Sequence, residues 1–368
     1  MPAARDHETI GGWTVLRQLG VGTVGTVYLV ERDAAADDSG PRPEKGAAKG
    51  LTRKEKAALK ILRTDISQDA TVRARFAREI EILEKLSHPN VVTIYDSGRM
   101  DGQLYYAMEF VDGPSLKELL IERGRIDWKD SVEIGWQICS ALQHVHNMGV
   151  IHRDLKPANL FLNSRGEIKL GDFGIALDTG EAELTATGLT VGTYAFMSPE
   201  QIRGERAGSD EDGTYQRGVT GLADIYALGC LLFRMISGRN PYEGVNFAQI
   251  FDQHLNSPPP SVRDLVSEVP PELDALIREM LSKDPAERPY NARCVQGRLA
   301  EALMQWDEAE GEALKARPAT WAIESSGPIL SNLIRPQPES PTVNIGWPQI
   351  AALVVTVAGL IAVAALAK

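Results

Sequence analysis

The stretch His152-Arg153-Asp154-Leu155-Lys156-Pro157-Ala158-Asn159, followed by Asp172-Phe173-Gly174, decides the fold. Within about twenty residues it gathers a carboxylate, a lysine, an amide and a second carboxylate, in the order phosphoryl transfer requires. A carboxylate can orient a hydroxyl and take its proton, and a lysine can neutralise a migrating phosphoryl group. An amide paired with a carboxylate is a hard-oxygen set suited to Mg2+. Any one Asp would be an ordinary cap or turn residue; the ordered set carries the information.

Upstream, Gly20-Val21-Gly22-Thr23-Val24-Gly25-Thr26-Val27 lies between two short strands, Trp13–Leu16 and Thr26–Val30. Glycines let a backbone fold close over a triphosphate and donate N–H groups to it. A dinucleotide-binding turn is spelled similarly but opens a helix. Here a β-branched strand follows, which favours a hairpin. A helical period runs over 70–86, with Phe76, Ile80, Leu83 and Leu86 on one face. Strands follow at Val91–Tyr95 and Leu104–Phe110. Helices dominate from Ser115 onward, at Leu116–Arg123, Trp128–Met148, Leu222–Ser237 and Pro271–Ser282. A strand-rich first third and a helix-rich remainder predict two packed lobes rather than one alternating sheet.

With these parts in place, the two opening blocks match the catalytic-loop and metal-turn signatures of protein kinases. The chain resembles the eukaryotic-like (Hanks-type) Ser/Thr protein kinases, most closely the bacterial membrane-anchored branch. The resemblance implies an α+β, two-lobed protein kinase fold over 13–303, with a β-rich N-lobe (13–111) and a helical C-lobe (112–303). It implies that Asp154 orients the acceptor hydroxyl and Lys156 neutralises the γ-phosphoryl group. Asn159 and Asp172 would hold Mg2+, with Mn2+ as the alternative ion. ATP would lie beneath Gly20, Val21, Gly22, Gly25 and Val27, with Ala58 above the adenine. Lys60 would bind the α/β-phosphates, fixed by an ion pair with Glu79. Met108 would be the gatekeeper, and the backbone of Glu109 and Val111 would bind adenine.

Lys156 and Thr193 suit Ser/Thr acceptors in proteins. Thr185 and Thr187 resemble paired autophosphorylation positions whose phosphates would meet Arg153. Glu200 would pair with Arg288, and Asp224 would hold the catalytic loop through its backbone; these are scaffold roles. A pseudokinase scaffold and a small-molecule kinase are the rival readings. Intact Lys60, Asp154, Asn159 and Asp172 argue against the first, and Thr193 against the second.

Composition fits this reading. The 368 residues carry a net charge of −11, which argues against a nucleic-acid or anionic-membrane binding surface as the main function. Cys139, Cys230 and Cys294 have no metal-ligand spacing and read as buried thiols. The first dozen residues hold no apolar core, so no secretory signal is expected. Two stretches, 33–56 and 204–221, are longer than the family pattern and read as insertions.

Beyond 303, prolines punctuate an extended linker (304–346). Residues 350–367 hold one polar side chain, Thr356, and no charge, and Trp347 stands where an interfacial aromatic belongs. A single-pass transmembrane helix over 347–367 is therefore expected, anchoring a cytoplasmic catalytic domain to the cell membrane. Ala358 and Ala362 would permit a homodimer within the bilayer. Only Lys368 follows, so no sensor domain is expected beyond the span.

Overall fold

A two-residue strand, β1 (Thr9–Ile10), leads into the hairpin of β2 (Trp13–Val21) and β3 (Gly25–Asp33). The computed structural model describes residues 9–22, 24–33, 54–68, 70–173, 194–204 and 219–310. Most of both expected insertions, Thr185, Thr187 and Thr193, the linker beyond 310 and the apolar 350–367 stretch lie outside them. Among the described residues no helix is long and apolar enough to cross a membrane.

The hairpin continues into β4 (Lys54–Leu62), which is joined by β6 (Gln103–Glu109) and then β5 (Ile94–Met100). The six strands form one antiparallel sheet in the order β1-β2-β3-β4-β6-β5. Residues 54–56, read from sequence as the end of an insertion, are the start of β4. The strand expected at Val91–Tyr95 begins at Ile94 instead. Val91 itself forms an isolated parallel bridge with Leu170.

Both faces of this sheet are apolar, which explains the unbroken Ala57-Ala58-Leu59 run. The outer face buries Trp13, Val30, Leu59 and Tyr105 under β1. The inner face packs Ala58, Leu62, Tyr106 and Met108 against Phe76, Ile80 and Leu83 of α2 (Ala70–Leu83). A short helix the sequence did not reveal, α1 (Thr64–Gln68), precedes α2.

The second lobe begins where Ser115 caps α3 (Leu116–Arg123) in a capping box with Glu118. Just before it, Gly113 lies so close to the next hairpin that a Cβ there would sit 1.9 Å from the Leu162 carbonyl. That hairpin, β7 (Leu160–Leu162) with β8 (Ile168–Leu170), follows α4 (Trp128–Asn147). The one-turn helix α5 (Pro199–Ile202) precedes α6 (Gly221–Ser237), whose apolar residues cover nearly its whole circumference. Such a helix belongs at the centre of a domain, and α6 packs between α4 and α8 (Pro271–Met280). The last helix among the described residues, α9 (Ala292–Glu310), runs past the boundary expected at 303.

The lobes are joined behind the site by His88-Pro89-Asn90. Asn90 donates to Gln137 Oε1 and to the Ile168 carbonyl, both at 2.9 Å, and its own carbonyl accepts from Leu170 N. Val92 N returns a bond to Leu170 O at 2.9 Å. These backbone bonds set the height of β8, and hence of Asp172, against the upper sheet.

The helix α7 (Phe247–Asn256) was not read from sequence, although Asn246 caps it and Phe247, Ile250, Phe251 and His254 share one face. His254 is fully buried, with Nδ1 2.8 Å from the Tyr226 hydroxyl. Burial, aided by the nearby Lys283 charge, pushes its pKa down from 6.5 to about 3. Between those values the unfolded chain binds a proton that the folded one refuses, so stability falls as pH falls. At complete titration the loss is about 5 kcal/mol. Melting temperature is thus expected to drop from pH 6.5 downward, before most carboxylates titrate, and His254→Gln should flatten that first part of the curve. Equal slopes for both proteins would contradict it.

Candidate active site

The catalytic stretch is held by one carboxylate. Asp224, in the first turn of α6, is buried and accepts from His152 N and Arg153 N, each at 2.9 Å, through different oxygens. His146 Nε2 lies 2.8 Å from the same carboxylate. Burial disfavours the charge of Asp224, but the His146 bond and the converging donors outweigh it and hold its pKa below the usual range. The bonds also secure an unfavourable backbone: Arg153 has φ 64, in the left-handed region that non-glycine residues avoid. His152 adds a bond from its ring to Gly171 O at 3.0 Å and packs on Phe173. The loop and the Asp172 turn are therefore tied together.

On this frame Asp154 and its neighbours converge. Lys156 Nζ is 2.7 Å from Asp154 Oδ2. Asn159 Nδ2 donates to Asp154 O at 2.8 Å and to Asp154 Oδ2 at 3.0 Å, and it lies 3.5 Å from Asp172 O. Asp172, with φ 50, turns its carboxylate to the upper lobe, where Lys60 Nζ donates to Oδ1 at 2.7 Å. Burial lowers the Lys60 pKa, but the contacts with Tyr106 and Asp172 more than offset it and raise the pKa above its ordinary value. Burial likewise raises that of Asp172, and Lys60 overrides it, so the pair is charged.

The donors fit a divalent cation. Asn159 spends its amide N–H groups on Asp154 and Asp172, which leaves Oδ1 for an ion. Among the described residues, every hydrogen bond to the Asp172 carboxylate lands on Oδ1, leaving Oδ2 as a second hard oxygen.

The roof of the site is the β2–β3 turn, where Gly22 N donates to Gly25 O at 2.8 Å. A Cβ on Gly25 would sit 2.1 Å from Ile61 O, so the turn's approach to β4 requires glycine. Gly20 and Val21 end β2, Val21 is exposed, and the half-buried Val27 packs on the core beneath. Ala58 pairs in register with Met108, and Lys60 with Tyr106. Glu109 N is already bonded to Thr93 O, so an adenine contact there would fall to its carbonyl. Its side chain is held by Lys169 at 2.8 Å. Val111 lies half-buried just beyond. Glu79 lies half-buried on α2.

Three residues here were not foreseen. His146 stands 78 positions from Asp224, too far for any local pattern to reveal. Gln201 donates to Arg153 O at 2.7 Å and belongs to a Ser198–Gln201 capping box that was readable in sequence. Tyr106 hydrogen-bonds Asp172 and looked like an ordinary core strand residue.

The protein kinase domain family matches residues 46–299 of this chain. The chain is 37% identical over 310 residues to serine/threonine-protein kinase PknF of Mycobacterium tuberculosis, covering 82% of this chain and 58% of that protein. It is 36% identical over 287 residues to PknJ of the same organism, covering 76% and 44%. With PrkC of Bacillus subtilis it shares 34% over 293 residues, covering 80% and 41%. The solved kinase domain of M. tuberculosis PknI aligns with a TM-score of 0.59 at 27% identity, covering 82% of this chain and 99% of that one. The chain belongs to the protein kinase family, with eukaryotic-like Ser/Thr kinases of bacteria as its relatives. It spans about half the length of the curated relatives it matches. The family match begins after the glycine turn, which nevertheless occupies its place in the same sheet.

Glu200 and Arg288 meet as expected. Two guanidinium nitrogens donate to the two carboxylate oxygens at 2.7 and 2.9 Å, and both side chains are buried. Glu200→Ala would leave a buried cation uncompensated, at a cost of about 3–5 kcal/mol in urea unfolding. A loss below about 1 kcal/mol would mean that the pair behaves as an exposed one.

Proposed function

We propose that this protein transfers the γ-phosphoryl group of Mg2+-ATP to Ser or Thr hydroxyls of proteins. The observation that carries the reading is the meeting of Lys60, Asp154, Lys156, Asn159 and Asp172 at one point between the lobes. The relatives' printed names, serine/threonine-protein kinases, support the acceptor class.

Each residue then has a task. Mg2+, held by Asn159 Oδ1 and Asp172, would screen the phosphates and polarise the transferring group. Lys60 holds the α/β-phosphates, and the glycine turn presents backbone N–H groups to them. Asp154 orients the acceptor hydroxyl in line with the γ-phosphorus and takes its proton as transfer proceeds. Its bonds to Lys156 and Asn159 fix the direction of that carboxylate, and Lys156 neutralises charge on the migrating group. Catalysis here is mostly positioning and charge compensation.

Three finer elements belong to the same reading. The acceptor sites include the chain's own Thr185 and Thr187, whose phosphates would meet Arg153 and order the segment. Residues 347–367 anchor the protein in a bilayer with the catalytic domain on the ATP-containing side. A homodimer formed in the membrane would bring one active site to the other's Thr185 and Thr187.

The test is phosphate incorporation by the whole chain with Mg2+-ATP beside an Asp154→Asn control, with sites mapped by mass spectrometry. The reading expects incorporation at Thr185 or Thr187 that falls by about a thousandfold or more in the control. ATP binding without any incorporation would favour a scaffold.

A further inference from the structure

Tyr106 is buried on β6, paired in register with Lys60 on β4, so the two side chains leave the same face of the sheet side by side. Its ring packs against Phe76 of α2, with centroids 6.2 Å apart. Its hydroxyl donates to Asp172 Oδ1 at 3.3 Å, the same oxygen that Lys60 holds at 2.7 Å. A phenylalanine would fill this core position equally well. A phenol placed here must bond its hydroxyl or lose the hydration it had in water, and the partners it meets are the two charged groups of the site.

We propose that Tyr106 is a positioning residue for Asp172: by donating to Oδ1 it fixes the carboxylate so that Oδ2 is offered to the divalent cation. The inference rests on the Mg2+-ATP reading above. Two donors from one sheet hold the same oxygen, but they are not equivalent. Lys60 is a cation that phosphates compete for, so its hold on Asp172 weakens when a nucleotide arrives. The Tyr106 hydroxyl is neutral, sits on a short rigid stem and is packed by Phe76, so phosphates do not draw it away. It keeps Asp172 oriented while Lys60 changes partners. The seat on Phe76 also makes that orientation depend on where α2 lies.

The test compares the whole chain with Tyr106→Phe, which keeps the ring and removes the bond. Three quantities are read: thermal unfolding without ligand, affinity for a fluorescent ATP analogue in EDTA, and the Mg2+ concentration that half-saturates the gain in that affinity. A hydrogen bond contributes about three- to tenfold in an equilibrium. Tyr106→Phe is expected to unfold near the wild-type temperature, to bind nucleotide unchanged in EDTA, and to need about three- to tenfold more Mg2+. Tyr106→Met, also lacking the hydroxyl, should shift the Mg2+ midpoint the same way. An Mg2+ midpoint within about twofold of wild type, or an equal loss in EDTA, would overturn the proposal and leave Tyr106 as core packing. If wild-type nucleotide binding ignores Mg2+ altogether, the metal reading falls, and this proposal with it; Asp172→Ala shows what that looks like.

Discussion

The Asp224 carboxylate is the constraint on which the site depends. Arg153 has a backbone conformation that an L-residue adopts at a cost of about 1–3 kcal/mol. Two N–H groups on successive residues, His152 and Arg153, are paired by one buried anion. Bonds from neutral donors to a charged acceptor are worth about 1.5–3 kcal/mol each, enough to offset the strain. The strained turn aims Asp154, Lys156 and Asn159 outward from a helix that is itself immobilised at the centre of the lobe. Gln201 closes the arrangement from α5 by bonding the Arg153 carbonyl. Through His152 and Gly171 the same frame reaches the Asp172 turn.

The upper lobe contributes its half through strand register. Pairing of β4 with β6 sets Lys60 beside Tyr106 and Ala58 beside Met108. The bonds of Asn90 and Val92 to β8 fix that sheet over the catalytic loop. The Lys60–Asp172 pair spans the gap, with both partners charged because each compensates the other's burial. Lys60 reaches the site from β4 and Asn159 from a single helical turn, while Asp154, Lys156 and Asp172 stand on short loops that Asp224, His152 and Asn90 hold in place.

What the sequence showed and what it hid follow from how far each interaction reaches along the chain. His152 to Asn159 carry their chemistry locally, so residue types at short spacing were enough to find them. Asp224, Glu200 and Arg288 were found through short motifs around each, and their partners are as the resemblance implies. His146 and Tyr106 gave no such signal. Their roles come from helix packing and strand register, and in sequence each is one more residue of an apolar stripe. The strands β7 and β8, three residues each, are too short to show a period. The helix α7 was legible, since Asn246 and the Phe247, Ile250, Phe251, His254 spacing satisfy the ordinary rules. The Lys60–Asp172 bond joins residues 112 positions apart, and no local pattern around either one announces it.

The most direct measurement is amide hydrogen exchange at His152 and Arg153 in Asp224→Asn, a variant of the same shape that trades a charged oxygen for an amide. If one buried anion holds the catalytic loop, exchange at these two amides should accelerate by about tenfold or more while the rest of α6 keeps its protection. Unchanged protection at both would show that the loop is held by something other than Asp224, and the account of the site would have to be rebuilt from that other contact.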